Sequence, residues 1–380
     1  MIRKVALCSF IAACDYTASL GETVSKTPPD HGAGDAAVAS PTPQWPGTSL
    51  VTTLPPSHRY GLAVAAGSLY WLNADAASVE RTPLGGGAVT HVTSGPSLSL
   101  AQSGEADRFL AGDDQGLVFV TDDTTFTGAR VLSYALDGTT RTLATQPDHP
   151  GFLAVALTST TFVASTRSTV IAAPRSGGAA ATIATAANPT KCFFLAPLAA
   201  DASNVYFQRE SGAASDGCPS APNGQSSGQS FLAQVPIGGG SASWMPNGEH
   251  LADALTIAGA RMYGWTGSPG SVEYVTSAAA VPVVHSSVYD LVVTKVAVVG
   301  DFVYWAGFVG DAHPAVSAVG CVSLSTGEVH TESVGAGLVH TLAVGPDGMY
   351  FRADCPAASN ADPCPPDELR RLPLCDGGPS

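Results

Sequence analysis

The chain has 380 residues, of which 13% are charged, and its formal net charge is -14. Globular proteins average about 25% charged residues, so this composition excludes long charged surface helices. The 41 Gly and 28 Pro predict many turns. The negative charge argues against nucleic acid as a partner, because binding to phosphates depends on Lys and Arg. No segment approaches the roughly 18 consecutive apolar residues of a membrane-spanning helix.

The first residues have the pattern of an export signal. Met1-Ile-Arg-Lys4 is basic, and the apolar stretch from Val5 to Ala13 is too short to span a membrane. Ile11-Ala-Ala-Cys14 resembles the lipobox of bacterial lipoproteins, in which the cysteine is lipidated and becomes the first mature residue. The resemblance implies a signal peptide at 1–13 and a lipid anchor at Cys14, in the periplasm, the outer membrane or the cell surface. An ordinary secretory signal with a chance cysteine is the alternative.

A low-complexity segment separates the signal from the rest of the chain. Residues 14–48 begin with Cys14 and continue as a mixture of Pro, Ala, Gly and Thr without apolar periodicity. This composition is typical of a flexible tether.

A strand-like motif recurs seven times in residues 49–380, each time with an aromatic or large apolar residue. The copies are 41 to 57 residues apart, about 47 on average, which is the length of one β-propeller blade. The copies are Leu69-Tyr-Trp71, Val118-Phe-Val120, Phe162-Val163, Val205-Tyr-Phe207, Met262-Tyr263, Val303-Tyr-Trp305 and Met349-Tyr-Phe351.

Further strand-like segments flank these copies. An apolar and small alternation such as Leu62-Ala-Val64 precedes six of them, and a segment that ends in a Gly turn follows, as in Val131–Gly138. A fourth strand, for example Thr139–Leu143, completes each unit as a meander. The seventh unit lacks this strand, and Ser49–Leu54 has the alternation to supply it. We therefore predict an all-β fold, a single propeller of seven four-stranded blades at 49–380, closed by the N-terminal strand in the last blade.

The segment from Leu69-Tyr-Trp71 to Val79-Glu-Arg-Thr-Pro-Leu84-Gly85 resembles the YWTD-type repeats of receptor propellers. Leu72-Asn73 replaces the Thr-Asp of those repeats, and those propellers typically have six blades. The resemblance implies the propeller architecture and none of that family's ligands. Together with the lipobox, the pattern is similar to that of uncharacterised propeller lipoproteins of high-GC bacteria.

Aromatic residues recur at equivalent repeat positions. Trp71 matches Trp305, and Phe207 matches Phe351. An aromatic side chain at a repeated strand position normally packs between blades, so we expect these four residues in the core.

The loops predict where binding takes place. Turns between first and second strands are uniformly short, whereas loops between second and third strands range from Ala164–Ser168 to Gln208–Ser230 and Arg352–Asp367. Variable loops on a rigid scaffold usually carry binding sites, and neutral drift is the alternative. The ligand-binding candidates on this variable face are Arg209, Glu210, Asp216, Asp311, His313, Asp354 and Asp367.

Six cysteines remain after Cys8 is removed with the signal and Cys14 is lipidated, which fits three disulfides outside the cytoplasm. Both Cys192 and Cys218 belong to the variable face around blade four and form the first predicted pair. The second pair, Cys355 and Cys364, lies within one long loop, and Cys321 with Cys375 remains by elimination. Six cysteines allow 15 pairings, so other connectivities stay open.

Motifs for catalysis and metal binding are sparse. At the predicted mouth of the central channel only Asp253 and His340 could ligate a metal, and ordinary polar residues at strand ends are the simpler alternative. Gly224-Gln-Ser-Ser-Gly228 matches G-x-S-x-G without the strand and helix that a hydrolase needs around it. Neither Cys-x-x-Cys nor H-E-x-x-H spacing is present. We therefore predict no catalytic residue, no metal and no cofactor.

These features favour a non-catalytic, monomeric binding or scaffold module, held at a membrane by its lipid anchor, with a protein or glycan as its partner. One alternative is a propeller enzyme, a hydrolase or lyase, with its site at the central channel. A second alternative is a subunit of an outer-membrane assembly complex, which rests on fold-level analogy alone.

Overall fold

The computed structural model describes most of the repeat region. The predicted signal peptide, Cys14 and the predicted tether up to residue 47 lie outside the described residues. The described residues are 48–54, 60–73, 78–94, 106–122, 129–146, 152–188, 190–192, 194–211, 214–220, 230–245, 255–258, 261–267, 270–275, 280–285, 291–309, 316–336, 339, 341–353 and 367–375.

The regular elements of the described residues are β-strands, apart from two short 3-10 turns at Ala106–Phe109 and Ala214–Asp216. The strands form seven four-stranded sheets, and six of these sheets are meanders of consecutive strands. Sheets 1 to 3 contain β2 (Tyr60–Ala65), β3 (Ser68–Asn73), β4 (Ser78–Pro83) and β5 (Thr90–Ser94); β6 (Leu110–Asp113), β7 (Gly116–Asp122), β8 (Ala129–Ala135) and β9 (Thr140–Gln146); and β10 (Ala154–Leu157), β11 (Thr161–Ser165), β12 (Thr169–Pro174) and β13 (Ala181–Thr185). Sheets 4 to 6 contain β14 (Phe194–Ala200), β15 (Asn204–Glu210), β16 (Ser230–Pro236) and β17 (Ser243–Trp244); β18 (Leu255–Ala258), β19 (Arg261–Gly267), β20 (Gly270–Val275) and β21 (Ala280–His285); and β22 (Leu291–Val299), β23 (Phe302–Val309), β24 (Val316–Ser323) and β25 (Val329–Ala336).

Sheet 7 combines strands from the two ends of the described chain. Its strands β26 (Leu342–Gly345), β27 (Gly348–Ala353) and β28 (Asp367–Leu372) follow one another, and β1 (Ser49–Leu54) is the fourth. β1 pairs antiparallel with β28. Ser49–Leu54 therefore occupies the position that the sequence predicts for it, as the fourth strand of the last sheet beside β28.

The first strands of consecutive sheets contact one another, and β26 of sheet 7 contacts β2 of sheet 1. The two strands lie close together at Gly345, where a Cβ would be 3.4 Å from a methyl carbon of Val64, an ordinary van der Waals distance. Across the same boundary the Tyr350 hydroxyl donates to the Leu84 carbonyl oxygen at 3.1 Å. Sheets 1 and 7 therefore pack against each other, as consecutive sheets do.

The recurrent aromatic residues lie in the core, as predicted. The exposed fraction is 2% or less for Trp71, Trp305, Phe207 and Phe351. Trp71 lies opposite Glu80 and donates its indole N–H to Glu80 Oε2 at 3.0 Å. Trp305 lies opposite Gly320, where a Cβ would be 2.5 Å from the indole ring. Its buried indole nitrogen has no hydrogen-bond partner within the part of the chain that the structure describes. Equivalent repeat positions therefore differ in their polar contacts.

Two of the three predicted disulfides are present. Cys192 is bonded to Cys218 and Cys321 to Cys375, closing separations of 26 and 54 residues. The second of these joins β24 of sheet 6 to the segment after β28 of sheet 7. Cys355 and Cys364 lie outside the described residues, so their pairing stays a prediction.

The prediction of an all-β propeller with four-stranded blades is confirmed. The number of blades and the closure of the ring stay predictions. In the ranges that the structure describes, no helix is long and apolar enough to cross a membrane.

Candidate functional site

The strand order gives the propeller two faces with different loops. On the short-turn face, the first strand of each sheet turns into the second within two or three residues, as at 66–67 and 158–160. On the variable face, the second strand passes to the third, and each sheet passes to the next, through connections such as 166–168 and 211–229. The loop lengths therefore follow the sequence prediction.

The structure describes only some of the predicted site residues. Arg209 and Glu210 end β15, Asp216 lies exposed in the 3-10 turn that follows, and Asp367 begins β28. These positions are at the variable face, in sheets 4 and 7, so the structure does not bring all of them into one cluster. The remaining candidates, Asp311, His313, Asp354 and the channel-mouth pair Asp253 and His340, lie outside the described residues.

On the described part of the variable face, a group of connected side chains lies where sheet 3 meets sheet 4. Arg209, Phe231, Trp244, Ser220 and the Cys192–Cys218 disulfide lie there, and we call this group the rim site. The Arg209 guanidinium carbon lies 5.4 Å from the centre of the Trp244 ring, within the range of a cation–π contact. Phe231, which pairs with Arg209 across the sheet, packs edge-on against Trp244 with ring centres 5.6 Å apart. An arginine is thus stacked on an aromatic pair at the rim.

Covalent and polar contacts hold the loop beside this arginine. The disulfide ties the link before β14 to the loop after β15, and both of its cysteines are buried. The Trp244 indole N–H donates to the Ser220 carbonyl oxygen at 2.9 Å, and the Asn188 side-chain amide donates to the Asp216 carbonyl oxygen at 2.9 Å. These three contacts therefore hold the described part of this connection, residues 214–220, in place beside the rim.

Arg209 is held by stacking, and no carboxylate among the described side chains pairs with it. Its side chain is partly buried, and desolvation lowers the pKa of its guanidinium. Its Nε is buried and has no hydrogen-bond partner among the described residues. Arg130, at the start of β8 on the same face, likewise has a buried Nε without a partner there. Buried donors are normally satisfied, so these two arginines are unusual features of the variable face.

The short-turn face contains a cleft that the sequence analysis did not predict. It lies between sheets 2 and 3 and has a volume of about 490 Å³. Hydroxyl and amide side chains line it above an apolar floor. The lining residues are Gln115, Gly116, Leu117, Ser133, Tyr134, Ala135, Thr139, Arg141, Ser159, Thr160, Phe162, Arg175 and Ser176.

An arginine joins the two walls of this cleft. Arg175 belongs to sheet 3 and binds the Asp113 carboxylate of sheet 2 through both terminal nitrogens, one of them at 2.7 Å. It also donates to the Thr158 carbonyl oxygen at 3.0 Å and lies 5.3 Å above the Phe162 ring. Its side chain is only 9% exposed. Because a carboxylate matches its charge, Arg175 acts as a bridge between the sheets.

Arg141 is the second cation of the cleft. Its Nη2 donates to the Pro174 carbonyl oxygen at 2.9 Å, again from sheet 2 to sheet 3. No carboxylate among the described residues pairs with it. The sequence contained no signal for this site, because Arg141 and Arg175 become neighbours only through the packing of two blades.

A metal centre finds no support in the described ranges, which hold no group of three or more His, Cys, Asp or Glu side chains that could share an ion. Asp253 and His340 are outside those ranges, so the channel-mouth prediction is not tested.

No protein-family model matches the sequence, and no curated protein matches it. Solved structures do match the fold over most of the chain. Virginiamycin B lyase from Staphylococcus aureus is 9% identical, with 85% of this chain and 98% of that chain covered and a TM-score of 0.53. The β-propeller domain of the Trilobed protease from Pyrococcus furiosus is 10% identical, with 87% and 95% covered and a TM-score of 0.54. A chain of a mitotic checkpoint complex is 12% identical, with 92% and 99% covered and a TM-score of 0.50. At such low identity these likenesses show that this chain has the β-propeller fold, and they show nothing about its activity.

Proposed function

We propose that this chain is a lipid-anchored β-propeller outside the cytoplasm that binds a protein partner through its variable face and performs no catalysis. The observation that carries the proposal is Arg209, a partly buried cation stacked on Trp244 with no carboxylate partner among the described residues. The partner then presents a carboxylate of an Asp, a Glu or a chain terminus to this arginine.

The chemistry of the rim site suits such a contact. A guanidinium matches a carboxylate with two parallel hydrogen bonds, and stacking on an indole already orients its plane. Arginine and tryptophan are also the residue types that dominate the energetics of protein interfaces. Because the disulfide and the Ser220 contact hold residues 218–220 in place, binding would order few additional groups in this part of the rim.

A closed ring is the architecture that we propose for this module. The seven sheets are its blades, and β1 closes it in sheet 7. The contacts between first strands and the packing of sheet 1 on sheet 7 support this count, and a ring of six blades is the alternative. An experimental structure that leaves sheet 7 unpaired with sheet 1 contradicts the closure.

The membrane anchor is a separate part of the proposal and rests on the Ile11-Ala-Ala-Cys14 pattern. We expect labelled fatty acid to be incorporated into the wild-type chain in its native cells and not into Cys14→Ala. Labelling that persists in the variant contradicts the lipid anchor and leaves the rim site untouched.

Site-specific photocrosslinking in the native cells tests the partner. A photoreactive residue replaces the exposed Asp216 beside the rim, or Glu328 on the short-turn face, whose side chain is 68% exposed. We expect one discrete protein adduct from position 216 and none from position 328. Arg209→Gln should reduce that adduct about tenfold, which corresponds to about 1.4 kcal/mol, whereas Arg141→Gln on the other face should leave it unchanged. An adduct that is equally strong with Arg209→Gln, or that forms only from position 328, contradicts the proposal.

A further inference from the structure

We propose that the cleft between sheets 2 and 3 binds a small acidic sugar, a monosaccharide with one carboxylate. This site lies on the short-turn face, opposite the rim site, so it is independent of the proposed protein partner.

The size and lining of the cleft fit a ligand of this kind. Its volume of about 490 Å³ lies within the range of about 300–1,000 Å³ for small-molecule sites. Leu117, Tyr134 and Phe162 are almost completely buried beneath the cleft and make its floor apolar. The Thr139 and Ser133 hydroxyls already donate to Asp137 and to the Arg141 carbonyl oxygen, so they can only accept from a sugar, whereas the other wall hydroxyls can also donate. The wall hydroxyls belong to Ser133, Tyr134, Thr139, Ser159, Thr160 and Ser176.

The charges of the cleft specify one negative group on the ligand. Asp113 matches the charge of Arg175, so Arg175 contributes no net charge to the site. Arg141 uses one of its five N–H donors on the Pro174 carbonyl oxygen, and no carboxylate among the described residues matches its charge. The guanidinium can therefore bind a carboxylate by donating two parallel hydrogen bonds to its oxygens.

A carboxylate fits this charge better than a phosphate ester does. A phosphate ester carries a charge of about -1.5 to -2, which exceeds the single unmatched cation. A neutral sugar can accept hydrogen bonds from Arg141 but brings no negative charge to match it, so it gains less from this residue. Both comparisons predict a preference for a hexuronate over a hexose and over a hexose phosphate.

Calorimetric titration of the full chain in detergent micelles tests the site, with glucuronate and galacturonate as probes. We expect saturable binding of at least one hexuronate with one site per chain. The matched neutral hexose and glucose 6-phosphate should each bind at least about tenfold more weakly, a difference of about 1.4 kcal/mol. Acetate, which has the carboxylate without the hydroxyls, should bind more weakly still.

Three variants test whether the hexuronate binds in this cleft and through Arg141. Arg141→Gln should weaken hexuronate binding about tenfold or more, and Arg209→Gln at the rim should leave it unchanged. Ser176→Tyr fills the cleft from an exposed turn without altering Arg141, so it should also remove binding. Thermal unfolding midpoints within about 2 °C of wild type show that the variants are folded. No saturable binding of either hexuronate, equal binding in Arg141→Gln, or tighter binding of the sugar phosphate overturns the proposal.

Discussion

Two arginines at opposite faces of the propeller make similar contacts with an aromatic ring but differ in whether a carboxylate binds them. Arg175 in the cleft lies 5.3 Å above the Phe162 ring, and Arg209 at the rim lies 5.4 Å from the Trp244 ring. Arg175 also binds the Asp113 carboxylate from the neighbouring sheet, whereas Arg209 binds none in the described residues. Stacking alone therefore does not distinguish a structural arginine from one that is available to a ligand; the carboxylate does.

The acidic residues of the short-turn face are also bound by groups of the chain itself. Asp113, Asp137 and Asp201 each accept a backbone N–H within their own turn, and Asp301 accepts one from Ser325 in the neighbouring turn. Hydrogen bonds from Thr139 lower the pKa of Asp137, and those from Ser325 and Ser323 lower the pKa of Asp301. The carboxylates of this face thus stabilise the turns of the chain itself. On the described variable face, the Nε atoms of Arg130 and Arg209 are buried without a hydrogen-bond partner, and for this reason we assign the protein partner to that face.

Loss of a disulfide should have the largest effect on stability, and the rim disulfide is the one that bears on the partner site. Cys192→Ser with Cys218→Ser opens a separation of 26 residues, and the loop-closure entropy that returns to the unfolded chain costs about 3.5 kcal/mol. The measurement is the free energy of unfolding in urea. Cys321→Ser with Cys375→Ser is the matched control, since it opens 54 residues and should cost about 0.6 kcal/mol more. Only the rim pair should also weaken the crosslink from position 216; an equal loss of that crosslink in both variants would show that the rim is not organised locally.

Removal of the carboxylate from the cleft should have the next largest effect. Asp113→Asn leaves the Arg175 guanidinium, only 9% exposed, without a matching charge. Breaking a fully buried pair costs about 3–5 kcal/mol. Asp113 is 30% exposed, so water screens part of this cost and we expect a loss of about 2 kcal/mol in urea unfolding. Asp114 is adjacent and exposed, so Asp114→Asn is the control and should leave the free energy of unfolding unchanged. An equal effect of the two substitutions would show that Asp113 acts only through its turn.

Replacement of the two arginines by methionine tests the comparison directly. Arg175→Met should lower the free energy of unfolding by about 1.5 kcal/mol, because it removes the bridge between sheets 2 and 3. Arg209→Met should change it by less than about 0.5 kcal/mol, because the lost cation–π contact is offset by removal of an unsatisfied buried donor. If Arg209→Met proves as destabilising as Arg175→Met, Arg209 is a structural residue, and the proposal that the rim site binds a partner loses its main support.

The sequence was sufficient for features that repeat and insufficient for contacts between repeats. The recurrent aromatic strands predicted the four-stranded units, and the position of Cys192 and Cys218 around blade four predicted their bond. The Arg175–Asp113 bridge joins residues 62 positions apart in different sheets, so its geometry depends on how two blades pack. Gly320 opposite Trp305 is a similar case. The repeat pattern predicts the tryptophan, but it does not predict that the residue facing the indole ring must lack a side chain.

The smallest effect should come from the short-turn end of sheet 4, the same sheet that carries Arg209. The Tyr206 hydroxyl donates to Asp201 Oδ2 at 2.8 Å, and burial together with this carboxylate raises the pKa of Tyr206 to about 12. A tyrosine with a raised pKa in the folded state contributes stability that is complete below the unfolded pKa of about 10 and is lost as the pH rises towards 12. Tyr206→Phe should cost about 0.5–1 kcal/mol at neutral pH and should show a flatter loss of stability above pH 10 than wild type. Urea unfolding at pH 7, 9, 10 and 11 measures both quantities. If the curves of wild type and variant stay parallel above pH 10, Asp201 does not hold the Tyr206 hydroxyl in solution, and the carboxylate contacts of the short-turn face differ from those described for sheet 4.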